Sequence, residues 1–352
     1  MFISKELFGR INGQQVYEYT FKNSNGIEMS CLNYGCAITR IIAPDRRGKP
    51  ENIVLGFRDL ASYQANSICA GVAIGRVAGR IKNAQFELEG KNYTLAANSG
   101  KHHLHGGQQG FHHVVWDAAV VEKPEESIIQ FSYTSGDGEE GYPGTLIVII
   151  TYTLNNKNEL VISYQGQSDQ TTLFNPTNHS YFNLSGNLKQ DISEHILKIN
   201  SSGFWELGAD MLPTGKLIDV KNTVFDFRTG RKIIEGLNSK HVQNKIAGQG
   251  YDHPYVLNSN YNEEIVLYDE KSGRSMVVET DAVGVVLYTG NQIPGDLNIG
   301  GAKSRPYLGL CLETQRPPDA IHHTDFPSCI LNKNQAFSTA TKFTFGVDNR
   351  WF

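Results

Sequence analysis

The chain has 352 residues, with 32 Lys plus Arg against 36 Asp plus Glu and a formal charge of −4. No long basic run is present, which argues against nucleic acid or an anionic membrane surface as a partner. No apolar segment approaches the length needed to span a bilayer. Glycine is abundant at 35 residues, and 17 Phe and 16 Tyr accompany it, a balance that favours turns and strands over long helices. The five cysteines, Cys31, Cys36, Cys69, Cys311 and Cys329, form no CxxC pair. They read as small buried hydrophobes rather than a disulfide framework or a zinc site. The first residues, MFISKEL, lack an apolar signal core and a small-residue cleavage site, so a cytoplasmic location is expected.

In chain order, strand-type segments come first at 15–21, 27–32 and 37–42, with Asn25-Gly26 as a break between them. A short helix is predicted over 59–65. Further strands fall at 127–133 and at 145–154, where TLIVIITYTL is rich in β-branched residues. The turn Asn155-Asn156-Lys157-Asn158 follows, and 159–165 resumes with Leu160, Ile162 and Tyr164 on one face, a hairpin signal. A second helix is expected over 232–245. Strands return at 265–268, 276–279 and 285–289, with Ser272-Gly273 as a break. Strand–helix alternation, a fixed-period repeat and a linker are all missing. These features predict an all-β fold with a few short helices, a single domain over 1–352 built as one large antiparallel β-sandwich.

Five polar islands interrupt this pattern. In Gly75-Arg76-Val77-Ala78-Gly79-Arg80-Ile81, two arginines sit among glycines; each offers a donor fork for vicinal hydroxyls or a carboxylate, or forms a surface pair. The run is not G-x-G-x-x-G, so a phosphate cradle is a poor fit. In Lys101-His102-His103-Leu104-His105-Gly106-Gly107, extended geometry lets His103 and His105 converge while His102 points away. Three histidines can hold zinc, but no carboxylate or cysteine lies close in sequence, and no metal is expected. His112-His113 reads as a solvated turn. The run from Asn175 to Leu184, NPTNHSYFNL, packs three asparagines and His179 beside two aromatic rings. That suits a sugar cleft, with polar groups for hydroxyls and flat faces for C–H edges; a turn leading into a strand is the plainer alternative. Asp252, between Tyr251 and His253, can accept two hydrogen bonds from neighbouring hydroxyls or form an Asx turn. Glu313 closes a mostly apolar run, where a carboxylate is costly unless paired or used in proton transfer, or unless it sits on an edge facing water.

Taken together, GRVAGRI (75–81), HLHGG (103–107), DGEEGYPG (137–144), NPTNHSYFNL (175–184), YDHPY (251–255), YTGN (288–291) and ETQ (313–315) resemble, in order, the motif series of the aldose 1-epimerase, or galactose mutarotase, family. The resemblance implies a galactose mutarotase-like β-sandwich. It also implies interconversion of the α and β anomers of free hexoses such as D-galactose and D-glucose. On the matching positions, Glu313 is the general base at the anomeric hydroxyl and His179 the general acid at the ring oxygen. His105, Arg80, Asp252 and Tyr288 are expected to hold the sugar. No cofactor is implied, and the assembly is expected to be a monomer or homodimer. Gly79 departs from the usual asparagine, and His112-His113 from the frequent Asp-Lys. One carboxylate and one imidazole suffice to remove one proton and deliver another.

Three other readings compete. An enzyme for a phosphorylated hexose needs a cationic phosphate pocket. A non-catalytic sugar-binding protein predicts loss of Glu313 or His179, and both are present. A glycoside hydrolase needs two flanking carboxyl groups; Asp252 and Glu313 could serve, but the histidines would then have no role.

Overall fold

The computed structural model describes residues 2–347 and Arg350. Three large antiparallel sheets organise the chain. The first five strands, from Phe2–Ile11 to Pro50–Asn52, form a meander in sequence order. The nine-stranded sheet centres on Leu146–Asn155, Glu159–Ser168 and Phe337–Gly346. Strict alternation along Leu146–Asn155 buries Leu146, Val148, Ile150, Tyr152 and Leu154 while Ile147 faces outward. The predicted hairpin is present. Asn155 Oδ1 accepts from the Lys157 and Glu159 amides, and Asn158 adopts φ 64°, which closes the turn.

The six-stranded sheet carries the site. Its strand order is Tyr181–Phe182, Leu310–Gln315, Gly284–Tyr288, Asp252–Val256, Gly203–Leu207, Pro213–Asp219. Leu310, Leu312, Val285, Leu287, Tyr255 and Phe204 face the same hydrophobic core as Val148 and Ile150 of the nine-stranded sheet. Each such fully buried side chain contributes about 1.5–3 kcal/mol. The architecture is therefore sheet on sheet, as the strand-rich sequence predicts.

The short helix over 59–65 is Leu60–Gln64, capped where Asp59 accepts from the Ser62 amide. The expected helix over 232–245 is instead two pieces, Ile234–Leu237 and Val242–Ile246. Helix geometry stops at Asn238, and His241 starts the second piece by accepting from the Gln243 amide. Phe337–Gly346 was not predicted. It joins the two halves of the nine-stranded sheet by pairing with Glu159–Ser168 and Ser275–Thr280. Its alternation of Phe with Thr and Ser is too polar to stand out as a strand. All five cysteines are free, with four buried and Cys69 half-buried. Among the described residues no helix is long and apolar enough to cross a membrane.

Candidate active site

Strand register builds the site. Asp252 lies opposite Tyr288, Tyr288 opposite Cys311, and Cys311 opposite Tyr181, a row running across four strands. One step along, Pro254 lies opposite Val286 and Val286 opposite Glu313. Residues opposite one another, or two apart on a strand, share a face. Both rows therefore project away from the core shared with the nine-stranded sheet; all but Cys311, which is buried in a second hydrophobic cluster, line the floor of a cleft of about 210 Å³. The walls come from Gly79-Arg80 and Leu104-His105, where Arg80 pairs with Leu104 across two short strands, and from the loop Ser67-Ile68-Cys69. Arg80, His105, His179, Asp252, Tyr288 and Glu313 all line this cleft.

His179 and Glu313 form its centre. His179 Nε2 stands 3.5 Å from Glu313 Oε1, and both side chains are buried, at 6% and 4% exposure. The edge-strand alternative for Glu313 is thereby excluded. The His105 ring stands perpendicular to that of His179 at 5.3 Å, with Tyr181 on another side at 5.1 Å. Burial raises the Glu313 carboxyl well above its ordinary range; Asp252 adds to this and Arg80 opposes it. Burial lowers His179 to about 4. Asp252 is raised to about 6 by burial, against the pull of Arg80. Charge on either central partner is thus disfavoured, and the pair is best served by holding one proton between them.

Several sequence expectations change. Arg76 does not reach the cleft. It is buried and donates to Ser135 Oγ, Thr172 Oγ1 and the carbonyls of Ser135, Gly136 and Pro143, so it ties loops together. His103 and His105 do not converge, because the chain leaves extended geometry at His105 (φ 53°). His103 donates from Nδ1 to the Ala96 carbonyl and accepts at Nε2 from Tyr142 Oη. His112 is buried and His113 half-buried, with Tyr34 Oη 2.9 Å from His113 Nδ1, so the solvated turn is corrected. The three asparagines of 175–184 serve backbone rather than cleft. Asn175 pairs with the Arg316 amide and carbonyl, Asn178 holds the Ser180 amide and Gly71 carbonyl, and Asn183 holds the Leu308 and Gln190 carbonyls. Loop polar groups without a strand partner need such side chains. His179 and Tyr181 are the members of that run that line the cleft. At Gly79, φ is +77° and an added Cβ would fall 2.8 Å from Pro318, so asparagine there would be crowded.

The ligand atoms of His105, His179 and Glu313 lie within 4.8 Å of one another, which is the His₂Glu donor set of some zinc enzymes. The protonation pattern does not suit a metal. The Gly79 amide donates to His105 Nδ1 at 3.2 Å. A neutral imidazole then carries its proton on Nε2, the nitrogen facing the cleft. His105 is therefore a donor toward a ligand oxygen and has no lone pair to offer an ion. Pro254, Val286 and Gln315 also line the cleft and were missed. Stepping two residues from Asp252, Tyr288 and Glu313 would have found them.

The site is thus a buried carboxyl–imidazole pair on the open face of one sheet of an antiparallel β-sandwich, an arrangement able to exchange protons with a bound ligand. The aldose 1-epimerase family model matches residues 17–344. The chain is 36% identical to galactose mutarotase of Sus scrofa over 98% of this chain and 99% of that protein. It is 34% identical to maltose epimerase of Levilactobacillus brevis over 95% and 96% of the two chains. The crystal structure of galactose 1-epimerase from Lactobacillus acidophilus superposes with a TM-score of 0.88 at 29% identity, covering 99% of both chains. The chain belongs to the aldose 1-epimerase family.

Proposed function

We propose that the protein interconverts the α and β anomers of free aldohexoses such as D-galactose and D-glucose, with Glu313 as base and His179 as acid. The observation that carries this reading is the buried 3.5 Å contact between His179 Nε2 and Glu313 Oε1. The cleft, at about 210 Å³, is smaller than the ~300–1,000 Å³ of pockets for drug-sized ligands and suits one sugar ring. Glu313 takes the proton from the C1 hydroxyl as the C1=O double bond forms. The C1–O5 bond breaks, and O5 takes the proton from His179 Nε2. The open aldehyde turns about C1–C2, and the reverse transfers close the ring on the other face. Protons balance, since the pair starts and ends each half-reaction with one. Arg80 and Asp252 hold hydroxyls, His105 donates from Nε2, and Tyr288 walls the sugar. The Gln292 amide donates to Tyr288 Oη at 3.1 Å, which fixes that ring.

The proposal includes one domain spanning the chain, a cytoplasmic location and a role in hexose use, as a monomer or homodimer. The test is polarimetry on freshly dissolved α-D-galactose and α-D-glucose, with maltose alongside. Accelerated decay to the same final rotation is expected, and His179→Asn should lose at least ~100-fold of it, the lower end of a general acid's contribution. No acceleration on any of the three sugars would sink the proposal.

A further inference from the structure

Cys311 has no part in the mechanism so far, yet it touches the acid. Its Sγ lies 3.4 Å from His179 Nδ1. Cys311 and Glu313 are two residues apart on one strand and share a face. One strand therefore meets both nitrogens of the same imidazole, with sulfur at Nδ1 and carboxyl at Nε2. We infer that Cys311 is a positioning residue whose sulfur accepts the Nδ1–H of His179 and so reserves Nε2 for proton exchange with the sugar.

The argument rests on the proposed role of His179. When Nε2 gives up its proton, the neutral ring must keep the remaining one on Nδ1, or Nε2 could not take a proton back. An acceptor at Nδ1 enforces that tautomer. A carboxylate would do so strongly but would add a third charge beside Glu313 and Asp252. A neutral thiol is both a weak donor and a weak acceptor, so it can accept Nδ1–H without adding charge, and Cys311 is fully buried. Burial raises its own ionisation well above the usual thiol range, so it stays neutral across the working pH. His105 presents the opposite case. There a backbone N–H at Nδ1 places the proton on Nε2. The two perpendicular imidazoles thus offer the cleft different things: His105 a fixed donor, His179 an exchangeable site.

The other rings around His179 are His105, Tyr181 and Tyr288. The Tyr181 hydroxyl donates to the Ile68 carbonyl at 2.9 Å and also lies within hydrogen-bonding reach of the Cys311 sulfur. At Nδ1 the side-chain partner is Cys311, with the backbone of His179 itself alongside.

The test uses the full chain with ¹⁵N-labelled histidine at neutral pH. Wild type should show His179 protonated at Nδ1. Cys311→Ala should shift that signal toward a mixture of tautomers and lower kcat by about ten-fold, with KM within about two-fold. That is far short of the ~10⁴ that follows loss of a carboxylate partner, because the thiol bond is weak. Cys311→Ser, which keeps an acceptor, should restore most of kcat. Cys311→Val fills the space without an acceptor and serves if the alanine variant does not fold. A wild-type His179 that carries no proton on Nδ1 would overturn the inference. So would a Cys311→Val whose tautomer and kcat match wild type. The tautomer is read without turnover, and His179→Asn run alongside separates the two claims: activity surviving there removes the acid assignment, whatever the tautomer.

Discussion

Replacing Glu313 with Gln preserves volume and hydrogen-bonding shape while deleting the base. The side chain is 4% exposed and its neighbour is an imidazole at 3.5 Å. A positioned base contributes roughly 10²–10⁴-fold. We expect kcat to fall by about 10³, or ~4 kcal/mol on the barrier. KM should stay within about three-fold, since Arg80, Asp252 and His105 are untouched. Stability should move the other way. The folded carboxyl is raised above its unfolded value, so the stability tied to its acid form is complete below about pH 4.3. It is lost as pH rises toward the folded value. Glu313→Gln does not titrate and should therefore melt higher than wild type at pH 8 and alike near pH 4. The assay is polarimetry on fresh α-D-galactose with buffer decay subtracted, beside thermal melts at both pH values. A variant within ten-fold of wild-type kcat would refute the assignment of the base.

Asp252, raised to about 6, follows the same sign. Asp252→Asn should be more stable than wild type by about 1–2 kcal/mol at pH 8, the partial exposure trimming the full linkage value. That advantage should vanish below pH 4, while KM for the sugar rises. The two arginines of 75–81 should separate cleanly. Arg76→Met orphans three carbonyls at about 1–3 kcal/mol each and should lower Tm sharply, whereas Arg80→Lys should raise KM by about ten-fold with Tm unchanged. Equal effects on both measures would break that division. Exhaustive dialysis against a chelator should leave mutarotation unchanged; loss restored by Zn²⁺ would contradict the proton placed on His105 Nε2.

Much of the sandwich was legible because alternation is a local property. The hairpin of 145–165 declares itself through β-branched residues and an asparagine turn, and it is found at Leu146–Asn155 and Glu159–Ser168. Phe337–Gly346 hid because its outward positions are Thr, Ser and Lys. Single motifs were the weak guides. NPTNHSYFNL looked like a ligand-binding run, but its amides satisfy loop backbone, a need invisible until the loops are placed. Arg76 and Arg80 are chemically identical four residues apart, and tertiary position alone separates loop tie from cleft wall. The partner of His179 at Nδ1 comes from a strand 132 residues away, beyond the reach of spacing arguments.

The register that sets Asp252, Tyr288 and Cys311 in one row and Pro254, Val286 and Glu313 in the next divides labour between two kinds of variation. A strand can slip only by whole residues, and a slip of one would turn the catalytic row into the core. The placement of Glu313 is thus quantised, kept whole or lost with the fold. The loops at Ser67, Met211, Gln292 and Pro318 around the rim of the cleft are under no such rule and can drift by fractions of an ångström. New sugar preferences can arise there while the chemistry on the strands stands still. One such scaffold can thereby vary its rim while the floor of the cleft stays fixed.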